Sequence, residues 1–551
     1  MDPLKELPAE IVLRILDVSP VSTVASLTRL NRSWHSFIDT THQDAIYGSP
    51  SKIQRPSNSH DFAFLSKKQS FAKYFDATGS WKDLCKRQTL LARAWETGEP
   101  VTRESIVQVG EDAVWRFRPD FERRLIVSTS QQGGLNVTCM DSGSLLWRLS
   151  RDEVRPFAHL EYQDGTLVFD SEGNSLQVWK TGIEGLSRGE YRRVAVLPHD
   201  CQTRGFQLSY DTLCVVSIDG KGFVYDVMED PPKLRTAITI EQEAVGHLDQ
   251  NEDVVMFCMG KKGYHLYDKN TGAKMGIIDP KLNAFVCHIL HPPSEGNDII
   301  FTGNALDALP SAEPFPPGRP SRNRLTPIDV IGGPLVRDQN EEFLTLEDDE
   351  WGAALFSGPI LVGISRGGRV MVCQDWRRCL KDPNEFAKLT TIIECEESDG
   401  SNWDMGGWLS IRNNRVMFEV QDRVYVVALL EDGNIDTIET KSYAFATSSA
   451  IQLAVPVSFM AIYDDCIMST YTTLGWRRRE TEVQGAGPQQ PNRFRMFPTK
   501  TIRIVSLAPR LEDGQEQDTD EGRLVVPAAE ADSHTNILQI MDMLSGDEDD
   551  D

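Results

Sequence analysis

Ile218-Asp219-Gly220-Lys221-Gly222-Phe223-Val224-Tyr225-Asp226 is a tight glycine turn that runs into a short apolar strand and stops on Tyr-Asp. The run returns as Met259-Gly260-Lys261-Lys262-Gly263-Tyr264-His265-Leu266-Tyr267-Asp268, and again as Ile364-Ser365-Arg366-Gly367-Gly368-Arg369-Val370-Met371-Val372. Glycine admits the positive φ that such a turn needs, and β-branched and aromatic residues suit the pleated strand that follows. A second hairpin turn comes after the strand, as Asp141-Ser142-Gly143 and as Asp268-Lys269-Asn270-Thr271-Gly272. Trp179, Tyr225 and Tyr267 hold equivalent places, 46 and 42 positions apart. That is the length of one repeated four-stranded unit.

The rhythm extends in both directions. Leu125-Ile126-Val127-Ser128, Thr166-Leu167-Val168-Phe169, Leu213-Cys214-Val215-Val216, Val424-Tyr425-Val426-Val427 and Ile502-Arg503-Ile504-Val505 all read as strands between turn residues. Residues 101–510 resemble a degenerate WD-repeat β-propeller. Tyr225-Asp226 and Tyr267-Asp268 stand where that family carries Trp-Asp, and Gly246-His247 stands where it carries Gly-His. Seven third strands are evident, and the interval from Tyr267 to Val372 has room for another blade around Ala284–Ile289 and Asp298–Thr302. The expectation is therefore seven or eight blades. A two-sheet sandwich is the alternative, disfavoured by the length of chain that keeps blade spacing. Insertions are expected near 305–350, which is rich in proline and then in acid, and near 485–498.

The first hundred residues change period. On a wheel of about 100° per residue, Glu10, Arg14 and Asp17 share a stripe roughly 60° wide, while Ile11, Val12, Leu13, Ile15, Leu16 and Val18 cover about 220°. A surface helix ordinarily buries a stripe little more than about 100° wide, so this one needs cover on two sides. A second helix opening near Pro20 puts Val24, Leu27, Leu30, Trp34, Phe37 and Ile38 on one face. It covers one side. The other is left to the rest of the chain or to a second protein. A third helix is expected over Trp81–Trp95, with Ser80 and Asp83 as a capping box and Trp81, Leu84, Cys85, Leu91, Ala92 and Trp95 facing inward.

Leu4-x-x-Leu7-Pro8-x-Glu10-Ile11, then Ile15-Leu16, then Leu27-x-x-Leu30-Asn31-Arg32-x-Trp34 resembles an F-box, with Asn31 where many members carry Cys. With the repeats and the acidic composition beyond Pro509, the expectation is an α+β multidomain chain: an F-box at 1–48, a helical linker at 49–100, an all-β propeller at 101–510 and an acidic disordered tail at 511–551. The F-box resemblance implies a partner, the Skp adapter of cullin–RING ubiquitin ligases, held by Leu4, Leu7, Pro8, Ile11, Ile15, Leu16, Leu27, Leu30 and Trp34. The expected role is that of a non-catalytic receptor that brings a target protein to an SCF-type ligase. An F-box scaffold without a ligase role, or a propeller with a small-ligand or enzymatic funnel site, remains open.

Composition narrows the classes. The 551 residues carry 57 basic and 82 acidic side chains, a net charge of −25, which opposes binding to nucleic-acid phosphate or anionic lipid. The amino terminus lacks a basic segment leading into an apolar one, and Val424–Leu430 is the longest aliphatic run, so a cytoplasmic or nuclear location is expected. Ten scattered cysteines without a C-x-x-C pair read as reduced core residues. Gly363-Ile364-Ser365-Arg366-Gly367 matches a hydrolase elbow in letters, but a strand rather than a helix follows it. Cys287, His288 and His291 alternate faces on a strand, which spoils a metal site. No cofactor is expected. Arg477, Arg478 and Arg479, with Arg493 and Arg495, form the one basic cluster of the last repeat. They are a candidate substrate-binding patch for anionic groups, set against a plainer reading as charge protecting a strand edge.

Overall fold

The computed structural model describes residues 3–56, 59, 61–97, 103–107, 109, 113–171, 174–240, 247–282, 286–291, 325–333, 348–395, 408–438, 441–448, 455–478, 494–509 and 525–527. The chain divides into two compact units. One comprises Met1–Thr102 with Tyr463–Cys466 and Ser506–Gln515, and the other comprises Arg103–Ile462, Ile467–Val505 and Glu516–Asp551.

In the helical unit, Pro8 and Pro20 immediately precede α2 (Ala9–Val18) and α3 (Val21–Thr28), after a first turn α1 (Pro3–Glu6). The single helix expected from Pro20 to Ile38 breaks after Thr28. Asn31 starts α4 (Arg32–His35) by accepting the Trp34 N–H at 2.9 Å, and a π-helical turn, Ser36–Thr41, follows. An Asn side chain competes for nearby backbone donors, so it caps a helix better than it continues one. Val24, Trp34 and Ile38 are still buried.

Two more helices follow, α5 (Gln43–Tyr47) and α6 (Trp81–Thr97). The start of α6 is capped as expected. Ser80 Oγ accepts the Asp83 N–H at 3.1 Å, while the Asp83 carboxylate takes the N–H of Gly79 rather than that of Ser80. Leu84, Cys85, Leu91 and Trp95 face inward. Ala94 does so in place of Ala92, because it lies three residues from Leu91 on the same face. Arg87 is also buried, with Nε donating to Asp83 at 3.0 Å and Nη1 to the Tyr74 carbonyl. The segment before α6 grips Asp465. That carboxylate accepts from Ser70 Oγ at 2.5 Å, Phe71 N at 2.8 Å and Ala72 N at 3.1 Å. Burial pushes its pKa up despite these donors. Trp95 Nε1 donates to the carbonyl of Asp464 at 3.0 Å.

The second unit is a seven-bladed β-propeller. Among the described residues its strands form seven sheets, at 114–149, 160–198, 203–239, 248–278, 351–395, 409–446 and 460–506, here blades 1 to 7. The repeated turn is real. Ser217 and Ser365 accept the N–H of Lys221 and Arg369 through Oγ, each at 3.0 Å, around Gly220 and Gly368 at φ 74° and 76°. Ser365 is thus a hairpin residue, as the sequence implied. The second hairpin repeats equally closely, with Gly143 and Gly272 at φ 70° and 73°. A bulge falls at Trp179, Tyr225 and Tyr267 alike.

The interval that had room for an eighth blade is spent otherwise. Val286–His291 runs parallel to Thr390–Cys395 at the outer edge of blade 5, and Asp329–Gly332 pairs outside it. Thr326–Pro327 pairs with Tyr443 and Ala444 of blade 6, an edge position that tolerates proline. The second half of the postulated blade, 298–302, lies outside the described residues. Arg103–Val107 joins the sheet of blade 7 beside Phe494–Ser506 and closes the ring, and Val525–Pro527, in the expected tail, pairs with it. The β-branched Val525 and Val526 suit that strand.

Candidate functional site

Helix α2 carries two apolar stripes with different fates. Val12 and Leu16, one turn apart, are buried. Ile11, Ile15 and Val18, also at helical spacing, are 49%, 48% and 75% exposed. Leu7 at 39% and Leu30 at 66% are exposed as well. Pro8 is exposed, and Leu4 and Leu27 are half-buried. Of the nine candidate anchors, Leu16 and Trp34 lie in the core, and the later helix that chiefly packs on α2 is α5. They shape the helical unit rather than its surface. Val18 was not among the nine, although its spacing from Ile11 and Ile15 marks it as part of the same stripe.

The helix end is held firmly. Ser51 Oγ donates to the Asp17 carboxylate at 2.7 Å, Ser49 Oγ donates to the same oxygen, and Lys52 Nζ donates to the Asp17 carbonyl at 2.7 Å. The Ser49 and Ser51 hydroxyls hold the Asp17 carboxyl below its ordinary range. The ammonium of Lys52 meets carbonyls at a helix C-terminus, where positive charge is favoured. The outward residues therefore stand on a fixed helix. Fully covering an aliphatic side chain gains about 1.5–3 kcal/mol, so a partner seated on this ridge gains several.

A second cluster lines the axis of the propeller, where the first strands of successive blades are neighbours. Arg118 of blade 1 donates to Glu161 of blade 2 at 2.6 Å, and His159 meets the same oxygen at 2.8 Å. Burial alone would raise the Glu161 carboxyl, but Arg118 and then His159 reverse that and hold it low. Gln207 of blade 3 donates to Asp249 of blade 4, whose other oxygen accepts the Phe356 N–H of blade 5 at 2.7 Å. Burial pushes Asp249 up to about 7. Ser410 of blade 6 accepts the Ile462 N–H at 2.9 Å, and Ser458 of blade 7 donates to the Trp115 carbonyl of blade 1. Among the described residues, polar contacts of this kind thus cross five of the seven seams between blades. Hydrogen-bonded to one another in this way, these groups act as staples between blades. Sequence reading missed this girdle because its members lie some 40 residues apart, one per blade.

Part of the arginine cluster lies within the described residues. Arg477 and Arg478 end the strand Cys466–Arg478, and Arg495 lies at the start of Phe494–Ser506. Arg479 and Arg493 lie outside the described residues. Among the described residues, no group of three or more His, Cys, Asp or Glu is placed to hold a metal ion, and no helix is long and apolar enough to cross a membrane.

No family profile matches the sequence, and no curated protein matches it. Solved structures are similar to it at low identity. The RRP9 WD40 repeats are similar at 10% identity and a TM-score of 0.39, over 73% of this chain and 97% of that one. U3-55K is similar at 9% identity and 0.39, over 73% and 98%. BamB from Moraxella catarrhalis is similar at 10% and 0.35, over 65% and 93%.

Proposed function

We propose that this chain is the substrate-receptor subunit of an SCF-type ubiquitin ligase: the helical unit binds the Skp adapter and the propeller binds a target protein. The observation that carries the reading is the uncovered stripe of Ile11, Ile15 and Val18 on α2, with Leu7 and Leu30 also exposed, within the stretch that resembles an F-box. A helix that satisfies one apolar face internally and presents the other to solvent is suited to a partner. The mechanism is positional. Holding the target beside a ubiquitin-charged enzyme raises the effective concentration of its lysines, and no residue of this chain takes part in the ubiquitin transfer itself.

The test is co-purification. The paired change Leu7→Ala and Pro8→Ala is expected to abolish recovery with the adapter while the propeller keeps its melting transition. Recovery of that variant with the adapter would remove the interface. If the wild-type chain binds the adapter but bound partners do not turn over faster when the cullin is active, the chain is a scaffold instead.

A further inference from the structure

Cys373 ends the third strand of blade 5, Val370–Cys373, and Cys379 lies six residues on, in α7 (Trp376–Lys381). Their Sγ atoms are 3.5 Å apart and share a hydrogen bond. A disulfide needs about 2.05 Å, so closing one asks the sulfurs to approach by roughly 1.5 Å. The backbone that carries them is fixed on both sides. Gln374 N donates to the Leu389 carbonyl at 2.8 Å, Trp376 N to Pro359 at 3.0 Å, and Cys379 N to Asp375 at 3.1 Å. Both thiols are buried in the same apolar cluster as Trp376 and Phe386, but Cys379 is the outer of the two, between the exposed Arg378 and the half-buried Leu380.

We propose that Cys373 and Cys379 form an oxidisable dithiol that a hydroperoxide closes to a disulfide. The Cys379 thiolate attacks one peroxide oxygen, the O–O bond breaks, and the departing hydroxide leaves as water with a proton from solvent. The sulfenic acid so formed is then attacked by the Cys373 sulfur. The S–O bond breaks, the S–S bond forms, and the Cys373 proton leaves with a second water. Two thiols and one hydrogen peroxide give one disulfide and two waters. The shared hydrogen bond favours the thiolate on Cys379, while on Cys373 that bond and burial both oppose it. The order of attack follows from this.

The experiment is a thiol map of the native full-length chain. Limited hydrogen peroxide is followed by unfolding, alkylation and digestion with trypsin, which separates residues 370–377 from 379–381. The expected result is a linked pair of these two peptides, loss of two alkylatable thiols, and recovery of both on treatment with dithiothreitol. Conversion of the exposed Met275 to its sulfoxide serves as the internal sign that oxidant was present. If Met275 is oxidised while Cys373 and Cys379 are still fully alkylated, or if either is linked to another cysteine, the proposal fails. Mapping the wild-type chain needs no variant to fold. Cys373→Ser adds a second arm, in which the linked pair is absent and Cys379 stops at an oxyacid.

Discussion

Helix α2 and the third strand of blade 4, Tyr264–Asp268, are both short and apolar, yet they dispose of their side chains differently. In the strand, Tyr264, Leu266 and Tyr267 are all buried, because the sheet is packed on both of its faces. In the helix, Val12 and Leu16 are buried while Ile11, Ile15 and Val18 stand in water. A stack of sheets supplies two covers for every element. A unit of a few short helices supplies one, since small domains bury a smaller share of their surface. The uncovered stripe is thus a consequence of size.

Four predictions sharpen or break that contrast. The largest effect belongs to the inward stripe: Leu16→Ala is expected to lose about 2–5 kcal/mol, whereas Ile15→Ala, one residue away, stays within about 0.5 kcal/mol of wild type. Hydrogen exchange of the α2 amides measures both, and equal losses would erase the distinction between the stripes. Next comes Gly363→Ala in blade 5, where a Cβ would lie 2.1 Å from the Tyr264 hydroxyl. Thermal unfolding of the propeller is expected to show a loss of about 1–3 kcal/mol. An unchanged midpoint would mean that the blades are packed more loosely than described.

The third concerns pH. Asp249 titrates near 7 in the fold against an ordinary 3.8, so the folded state favours its protonated form. Its contribution is full below about pH 4 and is lost as pH rises through about 7. Asp249→Asn keeps the neutral form at every pH. Its free energy of unfolding in urea is therefore expected to exceed that of wild type at pH 8 by about 1–2 kcal/mol, and to converge with it as pH falls to about 4. A constant gap across that range would show that Asp249 does not titrate there. The smallest effect is Asn31→Ala, which removes the cap on Trp34 and is expected to cost about 1 kcal/mol, read from helical circular dichroism on heating. No loss would argue for a continuous helix in solution.

The propeller was legible because its information is local. Gly220, Gly368, Gly143 and Gly272 each fix a turn within five residues, and the Tyr225 and Tyr267 pattern repeats at blade length. The strand Val286–His291 was legible as a strand but not in its place, since its partner Thr390–Cys395 is a hundred residues away and the pairing is parallel. The break at Asn31 was a matter of weighing apolar period against capping, and capping won. For the ridge, the wheel gave the excess apolar arc of α2 but not which half would face out. Burial of Leu16 follows from where later helices, α5 above all, pack on α2, which no single helix reveals.

The central claim is that the outward half of α2 holds the adapter, and isothermal titration of the full-length chain with purified Skp adapter tests it most directly. Wild type is expected to bind with a measurable heat, and the pair Ile11→Asp and Ile15→Asp to weaken binding by at least about 100-fold, or about 2.7 kcal/mol, with the propeller's unfolding unchanged. Absence of binding by the wild-type chain, or equal affinity of the folded double variant, would contradict the account.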